Sequence, residues 1–339
     1  MRSNLLNICM GVILSLTFLA SCSDDSSGPE DENGLYPECT KSNSGRTDMH
    51  TPQSMVDDWG DPIRLDETIN TPCPEDAIEI SDDGRYLYFM FTSDILENMT
   101  PAEILAKENN TYRAERIGGP GEFDQPVFFD LGKGTAGSLD GELSFSPDGS
   151  KVYFHSNRPE NTGYNHTPYY DDFLDIYVAE ISGGEAGVAE NLGPPVNSVY
   201  PDGEHAIHPD GVTLYFTSLK PVGEGGADIW RSRFVSDAWQ EPENLGAPVN
   251  SSRDDLQPTF TAEGDTMYFA SGRNALIGMA IFRSVWDGNS WGDPELVIQG
   301  IVGEPSLTAD GTLLYFVHVL SDLDGTFDAD IWYCERLGE

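Results

Sequence analysis

Apolar and polar residues alternate in short runs bounded by Gly, Pro, Asp and Asn, and one run-turn-run unit is written five times along the chain. The copies read ISDDGRYLYF from Ile80, FSPDGSKVYF from Phe145, IHPDGVTLYF from Ile207, FTAEGDTMYF from Phe260 and LTADGTLLYF from Leu307. In each, an apolar strand meets an acidic residue plus glycine and returns through a hydrophobic-Tyr-Phe triplet, the signature of two strands joined by a turn. The acidic residues are Asp83, Asp148, Asp210, Glu263 and Asp310, spaced 65, 62, 53 and 47 residues apart. That period is slightly longer than the usual four-stranded propeller blade.

The third copy shows how one unit is laid out. An inner strand over Glu204–His208 reaches the Asp-Gly turn, Thr213–Ser218 returns, Asp228–Phe234 runs out again, and Trp239–Leu245 finishes. The third strand recurs as Asp175-Ile176-Tyr177, Asp228-Ile229-Trp230 and Asp330-Ile331-Trp332, and the fourth as Trp239 to Leu245 and Trp291 to Leu296. Between units, Asn191-Leu192-Gly193-Pro194-Pro195-Val196-Asn197-Ser198 matches Asn244-Leu245-Gly246-Ala247-Pro248-Val249-Asn250-Ser251. The last copy lacks a fourth strand, but Trp59-Gly60-Asp61-Pro62 repeats the Trp291-Gly292-Asp293-Pro294 core. Residues near 58–66 are therefore expected to complete the last blade, removing the exposed strand edges of an open ring. The expectation is an all-β, five-bladed propeller of four-stranded antiparallel blades over residues 56–339.

The Ser-Pro-Asp-Gly-x-x-hydrophobic-Tyr-Phe signature, the following Asp-Ile-Tyr/Trp and the Asn-Leu-Gly-x-Pro-Val-Asn-Ser linker resemble the WD40-like repeats called PD40, found in TolB-type proteins. The resemblance covers nearly all of the chain after its first 55 residues. TolB-type proteins carry a separate N-terminal domain and usually six blades, for which this chain has no room, so a TolB role in envelope maintenance does not carry over.

The N-terminal region reads differently. Arg2, the apolar run Leu5–Leu19 and the small residues before Cys22 form a signal-peptide pattern, too short for a spanning helix. Leu19-Ala20-Ser21-Cys22 resembles the lipobox of bacterial lipoproteins, which implies a signal peptide over 1–21, lipidation of Cys22 and an exported protein lipid-anchored to the outer membrane, on its periplasmic side or the cell surface. A plain secretory signal is the other reading. Residues 22–55 start with a polar, acidic stretch unable to bury enough surface to order itself, and are expected to be a flexible tether. Cys39, Cys73 and Cys334 then remain, an odd number. Cys334 aligns with Ala179, Ser232 and Ser284 and is expected to be a small core residue; a Cys39–Cys73 bridge is open.

A net charge of −40 excludes the basic surface that nucleic acid requires and leaves nothing to hold anionic lipid. Such charge favours a soluble monomer and cationic partners.

Side chains on a strand have period two, so one set of inner-strand residues faces the ring axis. That set places Glu142, Glu204, Gln257 and Glu304 around one mouth of the channel, with Ala77 as the fifth member, and Glu79, Ser144, Ala206, Thr259 and Ser306 farther along. Arg158, Lys220 and Arg273 recur after the second strands on the same face. They could pair with the glutamates between blades, or help to line an axial binding pocket. The blade-two loop from Asn157 to Asp172 carries Tyr164, His166, Tyr169 and Tyr170, amphipathic side chains suited to a sugar or peptide. Asp171, Asp172 and Asp175 are a candidate calcium set; no other cofactor is expected. His205 and His208 break the repeat.

Two functions follow. One is a non-catalytic binding propeller that engages protein or glycan at the axial face. The other is a carbohydrate-active hydrolase or lyase using carboxylates at the channel mouth. Recurrence of the glutamate at equivalent positions favours the first, and the chain lacks a sialidase Asp-box, a nucleophile elbow, a phosphate loop and a zinc-ligand helix. The acidic-Gly turns mark the opposite face, expected to be the less active one.

Overall fold

The computed structural model describes residues 48, 50–92, 109–132, 139–162, 174–273, 278–321 and 327–338. It is a five-bladed β-propeller. The inner strands are Glu75–Ile80, Asp140–Phe145, Asp202–Ile207, Asp255–Phe260 and Val302–Leu307. Each pairs antiparallel with a second strand, namely Tyr86–Thr92, Lys151–Ser156, Thr213–Ser218, Thr266–Ser271 and Leu313–Ser321. Third strands follow at Asn109–Glu115, Asp175–Ser182, Asp228–Val235, Ala280–Val285 and Phe327–Glu335.

The Asp-Gly turns form for a local reason. Gly84, Gly149, Gly211, Gly264 and Gly311 all have φ between 64° and 72°, the left-handed region that glycine enters without penalty. The preceding aspartate accepts a backbone N–H two residues on: Arg85 N to Asp83 at 2.9 Å, Ser150 N to Asp148 at 3.0 Å, Val212 N to Asp210 at 2.9 Å and Thr312 N to Asp310 at 3.0 Å. Hydrogen bonds from the Ser150 hydroxyl, the Ser150 N–H and the Ser146 hydroxyl hold the Asp148 carboxyl down at about 2.

The hydrophobic-Tyr-Phe triplet builds the core between blades. Alternation sends the tyrosine toward the next blade and its neighbours toward the previous one. Tyr88 thus packs with Val152 and Phe154, Tyr153 with Leu214 and Phe216, Tyr215 with Met267 and Phe269, Tyr268 with Leu314 and Phe316, and Tyr315 with Leu87 and Phe89. Inner-strand apolar residues join these clusters, with ring centroids 4.9 Å apart for Tyr88–Phe145 and 4.7 Å for Tyr215–Phe260.

The ring closes where the Trp-Gly-Asp-Pro match requires. Ile63–Arg64 pairs with Phe327–Glu335, with Ile63 opposite Tyr333, and Trp59 bridges Arg336. Trp59 is buried at the seam and donates its indole N–H to Tyr268 Oη at 3.2 Å. A further strand, Gln53–Ser54, extends blade four by pairing with Glu295–Gln299, so ordered chain begins ahead of residue 56.

Three of the blade linkers are held by one asparagine each. Asn197 accepts Ile176 N and donates to Ile176 O, and Asn250 does the same for Ile229. Asn70 repeats the device on Ile331, which makes Thr68-Ile69-Asn70-Thr71 a third, more divergent copy of the linker. Cys334 is a free, fully buried thiol opposite Leu314, and burial pushes it up to about 12. Cys73 is buried in a disulfide whose partner lies outside the described residues, as do Cys22 and Cys39.

Candidate functional site: a bulged acidic ring and an axial cavity

Every inner strand carries one more residue than the second strand opposite it, a β-bulge that falls between Asp76 and Glu79, Gly141 and Ser144, Gly203 and His205, Leu256 and Thr259, and Gly303 and Ser306. At the bulge, Ala77, Glu142, Glu204, Gln257 and Glu304 have φ of 54°, 52°, 42°, 57° and 52°. None is glycine, so each carries backbone strain on the order of 1–2 kcal/mol. Period-two alternation did not foresee this extra residue, yet it brings the expected side chains to the axis.

The bulge N–H groups are capped from the preceding blade by different groups. Ala77 N donates to Glu304 Oε2 at 2.6 Å, and Glu304 N to Gln257 Oε1 at 3.0 Å. Gln257 N donates to Thr217 Oγ1 at 3.2 Å, and Glu204 N to His155 Nδ1 at 3.4 Å. One step along the strands, Ser144 Oγ accepts Ile207 N and Ser306 Oγ accepts Ile80 N, both at 2.9 Å. Ser306 also donates to Glu79 at 2.8 Å.

Repeat symmetry breaks in blade one. Blades two, three and five place Gly141, Gly203 and Gly303 before the ring glutamate, whereas blade one has Asp76 before Ala77. Asp76 returns the missing carboxyl to the ring by hydrogen-bonding Glu304. This pair of carboxyls must share a proton. The exchange of Gly-Glu for Asp-Ala was the sequence sign of Asp76, which the repeat-based ring omitted.

Crowding and burial act on the whole cluster in one direction. Burial, then the charges of Glu204, Asp76 and Glu79, raises Glu142 well above the ordinary carboxyl range. Burial lifts Glu204 to about 8 against hydrogen bonds from Thr217 and Gln257, and Glu79 to about 8 against the Ser306 bond. Glu304 and Asp76 are raised by burial as well. Burial lowers His155 to about 3 and His205 to about 4, so both are neutral imidazoles.

A cavity of about 210 Å³ runs along the axis from this level toward the Asp-Gly turns. Glu79, Glu142, Ser144, His205 and Thr259 supply its polar lining, Phe145 and Phe260 part of its apolar wall, and Asp82, Pro147, Pro209, Ala262 and Ala309 its rim. The turn face, expected to be the less active one, therefore carries an axial opening. The small or cyclic residue ahead of four of the acidic turn residues leaves the axis clear.

The remaining sequence candidates separate from this site. Arg158, Lys220 and Arg273 do not pair with ring glutamates. Each reaches the first acid of its own blade's inner strand, with distances of 2.8 Å to Asp140, 3.5 Å to Asp202 and 2.6 Å to Asp255. Each also lies over two aromatic rings of its own blade, at 5.1–5.6 Å. These cations fasten second strands to inner strands, because the aromatic seat and the nearer carboxylate lie within the blade. His208 packs on Phe260 at 5.0 Å, accepts Asp210 N and faces Gly264 O at 3.0 Å, which places it between blades three and four. Asp175 is fully buried, accepts Thr162 N and Asn191 Nδ2, and is raised by burial to about 6. Tyr164, His166, Tyr169, Tyr170, Asp171 and Asp172 lie outside the described residues, among which no group of three metal-ligating side chains converges.

No protein family and no curated protein matches the sequence. Solved structures do. A protein described as a glycoside hydrolase superposes with a TM-score of 0.54 at 12% identity, covering 87% of this chain and 93% of that one. A thermostable family-43 glycoside hydrolase gives 0.50 at 14% identity, over 80% and 93%. A putative TolB from Agrobacterium tumefaciens gives 0.43 at 18%, over 79% and 92%. At these identities the likeness to the two glycoside hydrolases shows the fold alone.

Proposed function

We propose that this protein is a non-catalytic binding propeller of the PD40 type, engaging a protein or glycan ligand on the ring axis at the face that carries the blade connections. The observation that carries this reading is the uniform direction of the carboxyl shifts. Glycoside hydrolysis needs two carboxyls whose environments push them apart, one protonated and one ionised. Here Glu79, Glu142, Glu204, Glu304 and Asp76 are all raised. Protonated carboxyls and neutral imidazoles offer donors and acceptors without a poised nucleophile. One such acceptor, Glu204 Oε2, is buried with no hydrogen-bond partner. The post-cysteine acidic segment supports a tethered position, with Cys22 lipidated and the propeller held at the outer membrane.

A glycan array read for both retention and product release tests the reading. Retention without products is expected. Turnover that disappears in Glu204→Gln would overturn it in favour of a carbohydrate-active enzyme. Labelling with a fatty-acid analogue that survives Cys22→Ser would refute the anchor.

A further inference from the structure

The axial cavity opening among the Asp-Gly turns is a second site, on the opposite face from the ligand proposed above. Its polar lining is two carboxyls, the hydroxyl residues Ser144 and Thr259, and one imidazole. Glu79 and Glu142 line it, Asp82 stands at its rim, and no Lys or Arg is among its lining residues. His205 also lines it and is 3% exposed, yet neither ring nitrogen makes a hydrogen bond. The Tyr153 carbonyl lies close enough to favour the protonated ring but outside hydrogen-bond geometry. A buried imidazole without a bonding partner leaves a desolvated polar group uncompensated, which native proteins rarely tolerate without a ligand or water to complete it. Phe145, Phe260, Ile207 and Leu307 provide a part of the wall against which a methylene chain can lie.

We propose that this cavity binds a primary ammonium group carried on an apolar stem, either a free aliphatic amine or the lysine side chain of a partner. An ammonium presents three donors and no acceptor, complementary to carboxylates and a neutral imidazole nitrogen. Charge-assisted bonds of this kind are about twice as strong as neutral ones. The stem would lie along the apolar wall while the head reaches Glu142 and His205. The overall charge of −40 draws cations toward either mouth.

Glu79, Glu142 and His205 line the cavity with Asp82 at its rim, while Asp76 and Glu204 act on Glu142, and His205 on His155, through their charge. The acids among them are raised by burial and mutual repulsion, so an arriving cation must displace a proton. Amines stay protonated until near 10.4, and affinity should therefore rise about tenfold between roughly pH 6.5 and 8.5.

Calorimetric titration of the full chain with 1,5-diaminopentane, N-acetyl-lysine amide, pentanol and calcium chloride tests the proposal, with His205 ring shifts followed by NMR. Amine binding that strengthens with pH and weakens about tenfold or more in Glu142→Gln is expected. Comparable binding of the lysine amide identifies a protein side chain as the source, and preference for the diamine a free amine; both support the site. Should Glu142→Gln fail to fold, the rim variant Asp82→Asn is read instead, with an expected two- to threefold weakening. Pentanol binding as tightly as the diamine, calcium binding without amine binding, or no heat and no His205 shift with either amine would overturn it. The glycan array and the amine titration read different ligands, so the two readings fail separately.

Discussion

Replacing Glu204 by Gln should stabilise the protein increasingly as pH rises. Glu204 is buried at 7% exposure and titrates at about 8 rather than near its model-peptide value of 4.5. The sign follows from proton counting: between those values the unfolded chain has lost the proton and the folded chain keeps it. Stability contributed by this group is thus fully present below about 4.5 and is lost as pH climbs through about 8. The loss amounts to about 1.4 kcal/mol per pH unit, and the whole window to about 5 kcal/mol as an upper bound. Glutamine keeps a carbonyl oxygen and the shape but has nothing to ionise. Between pH 6 and 8 the melting temperature of the wild type should therefore fall relative to the variant by roughly 5–10 °C. The Glu142 carboxyl, held up partly by the Glu204 charge, should titrate lower in the variant, a shift visible in its side-chain NMR resonance. Parallel melting curves across this range would refute the reasoning, because they would mean that Glu204 is already ionised in the folded protein.

Ser144→Ala removes the acceptor of the buried Ile207 N–H and should lower stability by about 1–3 kcal/mol, measured as a shift of the denaturation midpoint. Arg158→Met removes the guanidinium bonded to Asp140 inside blade two; a loss of about 1–3 kcal/mol is expected, with amine binding in the axial cavity unchanged in the folded fraction. Trp59→Ala opens the seam between the first and last segments and should cost about 3–5 kcal/mol, with hydrogen exchange rising first in Ile63–Arg64 and its partner strand.

Blade number, strand order and closure could be read from the sequence because each rests on side-chain identity at a repeated position. A glycine at φ near 65°, a tyrosine that must find the next blade and a Trp-Gly-Asp-Pro core that completes a sheet all leave letters behind. The bulge leaves none: left-handed φ at Ala, Glu and Gln is imposed by the ring, and nothing in those residue types asks for it. The recurring cations were visible, but their partners were not. Asp140, Asp202 and Asp255 lie at the starts of the inner strands, and only the fold shows that Arg158, Lys220 and Arg273 reach them before any ring glutamate. The axial opening on the turn face is not legible from the glycines and acids of the turns. The residues before them, Pro147, Pro209, Ala262 and Ala309, are what leave the rim open.

Fastening the ring does not require an acid, as Gln257 shows. Its amide oxygen caps Glu304 N, so the fastening task can be done without any ionisable group. Glu304 uses a carboxyl for the same task on Ala77. No described backbone N–H donates to the carboxyl of Glu142 or Glu204, which nevertheless occupy strained positions and resist ionisation. A purely structural ring would gain stability from glutamine at both places, and natural chains retain such costs mainly where a function requires them. Glu142→Gln combined with Glu204→Gln should therefore yield a protein more stable than the wild type at pH 8 and weaker in axial binding at once. A double variant that is more stable and binds undiminished would show that the ring serves the scaffold alone.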